Sequence, residues 1–373
     1  MQVFPEAVTW PRRVRSGKSA VEWLVREAAC FGVHGAIVHG RSVQRSGHVE
    51  RCRQSCPKTG ELVFYEHGGG EPTLEQVQEL REWLRQHQVD WIAAIGGGSV
   101  LDLAKAGAGL VHAPGTIRDY HRGEPIRTAA LPFLAAPAVA GSGSEATGVA
   151  VLTDPDSCQK KAIRSDGMFP WGVILDPSLP ASCPASVVAH SGLDGLTQSI
   201  ESYFSQGARP LTEDLALRGL RLFADNLPAA VRQPDSEAMA NIQAASFVTG
   251  LAFSVSRLGV VHGLVHPLGA RTGLPHGLLC GLCLPLALEF NREAVPDKYA
   301  ELSRLLGQDP VAFVKDLHRD LGLDNPLLHS TIPDWEGIAV ETMDSGSTAH
   351  NPRPVSQEDV SWFLCRLVGH DGG

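Results

Sequence analysis

Short apolar runs alternate with amphipathic segments through the first half of the chain. The runs 35–40 (GAIVHG), 61–66 (ELVFYE) and 91–98 (WIAAIGGG) predict strands, and apolar residues at helical spacing over 74–88 predict a helix. Alternation of short strands with helices is typical of a parallel sheet covered by helices. We therefore expect the first half to be an α/β, Rossmann-like dinucleotide-binding domain.

Strand-like runs recur in LPFLAAPAVAGSGSEATGVAVLTD and in WGVILDPSLP, and they stop beyond Pro184. Apolar residues then return at helical spacing, as in 186–205 and 213–228, with Pro and Gly between segments. The pattern predicts an α/β domain over 1–180 and an all-helical domain over 181–373. A cleft between two such domains is a common place for a small-molecule site.

Composition narrows the classes of function. The 373 residues are enough for two domains, and 43% hydrophobic with 20% charged residues is ordinary for a globular protein. The formal net charge is -9 and no long basic run occurs, which argues against nucleic acid as a partner. No signal segment and no membrane-spanning run is evident, so we expect a cytoplasmic protein without a membrane partner. A homodimer is the expectation from base rates.

The eight cysteines are sparse for this length and predict free thiols rather than a disulfide framework. Two close pairs occur, Cys52 with Cys56 and Cys280 with Cys283. Neither is followed by a second pair at zinc-ribbon spacing. We therefore interpret them as buried or surface thiols.

Two glycine-rich segments are candidates for binding phosphate. Gly96, Gly97 and Gly98 lie at a predicted strand-to-helix turn, where backbone N–H groups and the helix dipole favour an anion. Ser99 and Asp102 are spaced as an N-cap pair for that helix. The second segment spans 141–145 (GSGSE). Neither segment is GxGxxG, so a plain glycine-rich turn stays open as an alternative.

Three histidines and one aspartate are candidates for metal ligation. His262 and His266 are four residues apart on one predicted helix face, and His276 follows in Leu274-Pro275-His276-Gly277. Asp194 lies in a segment patterned for burial, where an unpaired carboxylate is costly. Satisfied core histidines remain the alternative. Oxygen and imidazole donors suit Fe(II), Zn(II), Mn(II) or Ni(II) without choosing among them.

At this point the motifs resemble those of the iron-containing, or group III, alcohol dehydrogenases, which have the dehydroquinate synthase-like fold. GGGSVLDLAK is similar to GGGSxxDxAK, and AGSGSEATGVAVLTD to a segment containing AGTGSE. GLDGLTQSIESY resembles DALTHAIEAY, and VHGLVHPLGARTGLPHG resembles HxxxHxxGxxxxxPHG. ILDPSLP resembles the domain-joining VDPxL, and the likeness extends to the NPRP segment at 351–354.

The resemblance implies site residues. The implied dinucleotide contacts are Gly40, Gly96, Gly97, Gly98, Ser99, Asp102, Ser142, Lys160 and Leu179. The implied metal ligands are Asp194, His262 and His276. His266 matches a histidine that is thought to relay a proton beside the substrate and the nicotinamide.

The chain departs from the family pattern in the metal motif and before the second glycine segment. Gln198 stands where the family has a fourth ligand, a histidine, and a neutral amide oxygen is a weaker donor than imidazole. We therefore expect a site of three ligands plus Gln198, holding Fe(II) or Zn(II). Ala138 and Val139 replace a pair of threonines before the second glycine segment.

The end of the first strand also differs. The acid that selects NAD in the family is Gly40 here, followed by Arg41. An acid would bond the ribose 2′-hydroxyl, whereas glycine and arginine leave room and positive charge for a 2′-phosphate. NADP is therefore the favoured cofactor, with NAD as the alternative.

Together these features predict an NAD(P)-dependent, metal-dependent alcohol dehydrogenase or aldehyde reductase. Two alternatives stay open: a metal-free enzyme like maleylacetate reductase, and a lyase or cyclase like dehydroquinate synthase. The latter class needs a basic clamp for a sugar phosphate, and residues 190–280 offer few basic side chains. The sequence does not identify the alcohol or aldehyde.

Overall fold

The computed structural model describes residues 3–56, 60–157 and 159–370. Its strands are β1 (Arg13–Ser16), β2 (His34–Gly40), β3 (Glu61–His67), β4 (Trp91–Gly96), β5 (Phe133–Pro137), β6 (Val149–Asp154), β7 (Gln159–Arg164) and β8 (Gly172–Leu175). The predicted strands at 35–40, 61–66 and 91–98 are confirmed within two residues. Cys158 lies outside the described residues, and the other seven cysteines are free.

Six strands form one sheet, in the order β1-β8-β5-β4-β2-β3, and every pairing in it is parallel. Strand order reverses between β2 and β4, the first and third strands of a doubly wound arrangement. Ligands of such sheets bind beyond the carboxyl ends of the strands at this switch point. β6 and β7 form a separate antiparallel hairpin.

The helices of this first part are α1 (Leu24–Ala28), α2 (Arg41–Arg45), α3 (His48–Gln54), α4 (Leu74–Gln86), α5 (Gly98–Leu110) and α6 (Ile117–His121). Helix α4 begins with a capping box, in which Thr73 and Gln76 each bond the other's backbone N–H. Helices α4 and α5 cover one face of the sheet, and their apolar side chains form a continuous core with β2, β4 and β5.

Beyond β8 every regular element among the described residues is helical. These helices are α7 (Ala185–Phe204), α8 (Pro210–Arg232), α9 (Glu237–Ser256), α10 (Val260–Thr272), α11 (His276–Asn291), α12 (Pro296–Leu306), α13 (Pro310–Leu321), α14 (Trp335–Met343) and α15 (Gln357–Leu367). The predicted fold class, a parallel α/β sheet followed by a helical part, is confirmed. The limits 1–180 and 181–373 stay a prediction.

Helix α9 is long and apolar enough to cross a membrane by length and composition. About half of it is buried, and it packs against α7 and α8 in the helical core. A core helix passes the same test of length and composition. It is therefore weak evidence for a membrane span.

The predicted N-cap pair at the start of α5 is wrong. Gly97 is the N-cap residue, the helix already begins at Gly98, and no side chain caps it. Asp102 instead accepts hydrogen bonds from the Ser144 hydroxyl at 2.5 Å and from the Val151 backbone N–H at 2.9 Å. Because glycine tolerates the N-cap position, the N-cap is Gly97, two residues before the predicted N-cap Ser99.

Candidate metal centre and dinucleotide cleft

The first glycine segment lies at the switch point of the sheet. β4 ends at Gly96, and α5 begins two residues later, so the free N–H groups of its first turn follow the strand directly. Gly40 ends the neighbouring strand β2. Nothing but Val100 would contact a Cβ at Gly40, at 3.5 Å. An anion approaching this crevice would therefore meet backbone rather than side chains.

The second glycine segment lies directly beside the first. A Cβ at Gly98 would lie 3.1 Å from the Ser142 Cβ, so the two loops touch through these residues. Gly141 and Gly143 have a packing role as well. A Cβ at Gly141 would lie 1.7 Å from the Ser191 carbonyl oxygen of α7, and Gly143 has φ +62. The loop is thus pressed onto the helical part, where larger residues do not fit.

A buried charged network supports the second loop. The Lys105 ammonium is fully buried and donates to the Ser144 carbonyl (2.7 Å), the Ser144 hydroxyl (2.8 Å) and the Val149 carbonyl (2.7 Å). Burial lowers the pKa of Lys105 to about 8 and raises that of Glu145 to about 7. The Glu145 Oε1 accepts from Ser246 on α9, and its Oε2 is buried without a hydrogen-bond partner in the part of the chain that the structure describes. Sequence reasoning missed this network.

The predicted metal ligands come together as one group, in which Asp194 and His262 are buried and His276 is partly exposed. The Asp194 Oδ1 on α7 lies 3.2 Å from the His262 Nε2 on α10 and 3.7 Å from the His276 Nε2 at the start of α11. A fourth donor, the Cys280 Sγ, lies 3.5 Å from the Asp194 Oδ1 and 3.6 Å from the His276 Nε2. The four donor atoms all lie within 4.8 Å of one another.

The group fits a divalent metal ion. Ligands at about 2.0–2.3 Å around a tetrahedral ion lie about 3.3–3.8 Å from each other. Four of the six separations among the donor atoms are 3.2 to 3.7 Å and lie close to those edges, and the other two are at most 4.8 Å. Carboxylate, imidazole and thiolate are also the donors that zinc and iron accept in proteins. The residues therefore suit the metal that the family motifs imply.

Electrostatics around the group favour the charged forms of Asp194 and His262 and the neutral thiol of Cys280. Burial alone would lower the pKa of His262, but hydrogen bonds to Asp194 and Glu201 raise it to about 9. Burial alone would raise the pKa of Asp194, but His276 and His262 hold it below its ordinary value. Burial, and then the Asp194 charge, raise the pKa of Cys280. Without a cation, the thiol can donate to that carboxylate.

The orientation of His262 depends on the start of α10. The Glu201 Oε2 lies 2.6 Å from the His262 Nδ1, and its Oε1 accepts from the Val261 N–H at 2.6 Å. Asn351 accepts from the Val260 N–H at 3.2 Å, so two side chains satisfy the first N–H groups of the helix. Carboxylate partners of this kind hold a ligating imidazole in one tautomer and direction.

His266 lies one turn after His262 on α10, with its ring 5.2 Å from that of His276. Burial, and then the nearby Lys160 charge, lower the pKa of His266 well below its ordinary value. Lys160 is on β7 and forms an ion pair with Glu71 at 3.0 Å. The structure thus places His266 and Lys160 beside His276, and their implied roles as proton relay and dinucleotide contact stay predictions.

Gln198 links helix α7, which carries Asp194, to the second glycine segment. It lies one turn after Asp194 on α7, and its Nε2 donates to the Ser142 carbonyl at 3.3 Å. Its Oε1 is buried with no hydrogen-bond partner among the described residues. Helix α7 therefore carries both a member of the metal group and a side chain that bonds the loop touching Gly98.

Two further residues predicted to contact the dinucleotide, Leu179 and Ser99, lie outside the metal group. Leu179 is 1% exposed, and its side chain packs in an apolar core with Ala138 and Ile174. Ser99 lies in the first turn of α5, at the switch point. Both stay predictions as dinucleotide contacts.

Sequence reasoning missed Cys280 and Glu201. Cys280 follows His276 by four residues, the same spacing that drew attention to His262 and His266. Glu201 follows Asp194 by seven residues, which places both on one helix face. Helical spacing to an identified ligand was therefore the signal that could have found both.

Comparison with known proteins agrees with this geometry. The family described as iron-containing alcohol dehydrogenase matches residues 11–177, and its C-terminal part matches residues 188–368. The probable alcohol dehydrogenase EutG of Escherichia coli K12 is 33% identical over 300 residues, which cover 78% of this chain and 76% of that protein.

Two solved structures are similar over almost the whole chain. A 1,3-propanediol oxidoreductase has a TM-score of 0.92 at 27% identity, covering 97% of this chain and 99% of that one. A sulfoacetaldehyde reductase from Bifidobacterium kashiwanohense in complex with NAD+ has a TM-score of 0.91 at 28% identity, covering 99% and 100%.

A doubly wound sheet with glycine-rich loops at its switch point, next to a carboxylate and imidazole group, is typical of a dinucleotide- and metal-dependent oxidoreductase. The regions matched by the family also identify the family. The chain belongs to the iron-containing alcohol dehydrogenase family, whose members act on alcohols and aldehydes with NAD(P).

Proposed function

We propose that this enzyme is an NADP(H)-preferring reductase of small aldehydes, reversible as an alcohol dehydrogenase, whose metal is held by Asp194, His262 and His276. The observation that carries the proposal is the series of contacts from Gly98 to Ser142 and from Ser142 to Gln198, which lies one helical turn after Asp194 on α7. This arrangement supports a position for the reacting substrate carbon between the metal and a dinucleotide bound at the switch point. The domain limits at 180 and 181, a homodimer and a cytoplasmic location are part of the same proposal.

Each group of residues has a defined task. When bound, the metal supplies Lewis-acid polarisation of the substrate oxygen and the nicotinamide carries the hydride. The N–H groups that follow Gly96 and Gly97 bind the pyrophosphate, with the start of the α5 dipole behind them. The largely buried α7, α10 and α11 faces limit water around Asp194.

His266 is proposed to exchange the substrate proton. Its ring lies beside the ligand His276 and is not held by a carboxylate, unlike that of His262. Replacing His266 with Ala should lower kcat while the metal content stays at the wild-type level, because His266 is outside the ligand group. Unchanged kcat would remove His266 from the mechanism.

The NADP preference is supported by the end of β2. Gly40 leaves room there, and Arg41 is exposed, with its Nε 3.6 Å from the Glu66 Oε1. An exposed ion pair of this kind is worth about 0–1 kcal/mol, so a 2′-phosphate can displace Glu66. Arg41→Ala should reduce the ratio of kcat/KM for NADPH over NADH, and Arg45→Ala on the same helix should not.

The direct test is a reductase screen of short aldehydes with NADPH and with NADH. Oxidation of either cofactor in the presence of a neutral aldehyde supports the function, and NADPH should be the better substrate. No oxidation with any aldehyde or alcohol, under conditions where metal is bound, would overturn it. The metal-free and lyase alternatives have no specific contact in their favour among residues 3–56, 60–157 and 159–370.

A further inference from the structure

We propose that Cys280 is the fourth protein ligand of the metal, in place of Gln198. Its sulfur makes the site bind Zn(II) and Co(II) in preference to Mn(II). The inference rests on the proposed function in one respect, the presence of a metal at Asp194, His262 and His276. It adds a sulfur ligand to a set of oxygen and nitrogen donors.

Helix geometry places the thiol at the site. α11 begins at His276, and Cys280 lies one turn later on the same face. Its Sγ lies 3.5 Å from the Asp194 Oδ1 and 3.6 Å from the His276 Nε2, within the range for two ligands of one tetrahedral ion. Cys280 is also fully buried, so no solvent competes for the sulfur.

Gln198 is the competing donor. It lies one turn after Asp194, and its Oε1 is buried with no hydrogen-bond partner within residues 3–56, 60–157 and 159–370. Its Nε2, however, is engaged with the Ser142 carbonyl, and a neutral amide oxygen binds a transition metal weakly. A thiolate is a charged and stronger donor, and a bound divalent ion displaces the proton that the thiol otherwise carries.

A sulfur ligand changes which metal is preferred. Thiolates favour Zn(II) and Co(II) over the harder Mn(II), whereas a site of carboxylate, imidazole and amide discriminates less. Loss of the sulfur should therefore weaken Zn(II) binding much more than Mn(II) binding. This selectivity is a property that a purely structural thiol would not produce.

Cobalt spectroscopy on the full-length protein tests the inference. Metal-free protein is loaded with Co(II), and the near-ultraviolet thiolate-to-cobalt charge-transfer absorption is measured together with the cobalt content. The wild type should bind one ion per chain and show the absorption. Cys280→Ser should abolish it, and Gln198→Ala should keep it.

Cys283→Ala is the matched control. Cys283 lies on the same helix, is equally buried and is outside the metal group. It should leave both the absorption and Zn(II) affinity at the wild-type level, whereas Cys280→Ser should lower Zn(II) affinity by about 100-fold, since even indirect partners of a ligand are worth 10–100-fold. Mn(II) affinity should change far less in the same variant.

The outcomes separate this inference from the proposed function. Cobalt binding at one ion per chain without the charge-transfer absorption would overturn the role of Cys280 and leave the metal-dependent function intact. An absorption that persists in folded Cys280→Ser would do the same. Absence of any metal binding would overturn both. The wild-type spectrum is decisive by itself even if the Cys280→Ser chain does not fold.

Discussion

Glu201→Gln tests how the metal site is held together. The Glu201 carboxylate accepts two hydrogen bonds, from the Val261 N–H and from the His262 Nδ1–H, each at 2.6 Å. Gln has nearly the same size but only one acceptor oxygen, and its other terminal atom is an NH2 donor. One of the two N–H groups would therefore face another donor in a buried position.

The expected magnitude follows from those two contacts. A buried donor without a partner costs about 1–3 kcal/mol of stability. Loss of a partner that orients a ligating histidine lowers metal affinity about 10–100-fold. Glu201→Gln should therefore bind Zn(II) about 10–100-fold more weakly and unfold at a lower temperature than the wild type.

The assay is competition for Zn(II) against a chromophoric chelator, with a thermal melt of each protein in parallel. Glu145→Gln is the control, because it neutralises an equally buried carboxylate that is outside the metal group. It should leave Zn(II) affinity unchanged. Wild-type Zn(II) affinity in Glu201→Gln would refute the positioning role, since one hydrogen bond holds the His262 ring and the other holds the start of its helix at Val261.

Three further predictions concern the glycine loops and the buried network. Gly141→Ala should destabilise the fold by several kcal/mol in a denaturant titration, because its Cβ would lie 1.7 Å from the Ser191 carbonyl oxygen; a wild-type midpoint would contradict the packing. In Gly97→Ala the added Cβ would contact only Val139, at 3.6 Å, so the melting temperature should stay at the wild-type value. The KM for the dinucleotide should rise about tenfold or more. An unchanged KM would mean that the pyrophosphate binds elsewhere. Burial raises the pKa of Glu145 from 4.5 to about 7, so its contribution to stability is fully present below pH 4.5 and is lost as pH rises through 7. Glu145→Gln should then gain up to about 3 kcal/mol on the wild type between pH 4.5 and 8, measured by denaturant unfolding, and a difference independent of pH would argue against a charged, buried carboxylate.

The fold could be predicted to a large extent because its signals are local. Period-two and helical patterns identified β2, β3, β4 and α4, and their alternation indicated the parallel sheet. The start of α5 was mispredicted because three glycines remove the side-chain information that marks a helix start. Gly97 became the N-cap, while Asp102 was used by Ser144 and Val151, which are distant in sequence.

The candidate site could be predicted only where ionisable side chains occur in segments that are patterned for burial. Asp194, His262 and His276 were identified because such side chains are costly in an apolar segment. Cys280 was noted only as one of a close pair and interpreted as a free thiol, since a thiol in an apolar helix is ordinary core. Its role depends on how α11 is rotated against α7, and that rotation comes from long-range packing, such as Gly277 against the His190 carbonyl. The residues near Cys280 in the sequence do not by themselves indicate that rotation.

The central claim is that Asp194, His262 and His276 hold a metal required for hydride transfer. The most direct measurement is aldehyde reductase activity of one preparation before chelation, after chelation, and after one equivalent of Zn(II) or Fe(II) is restored. Activity should fall to background with the metal content and return with the added ion. Full activity in protein shown to contain no metal would contradict the claim.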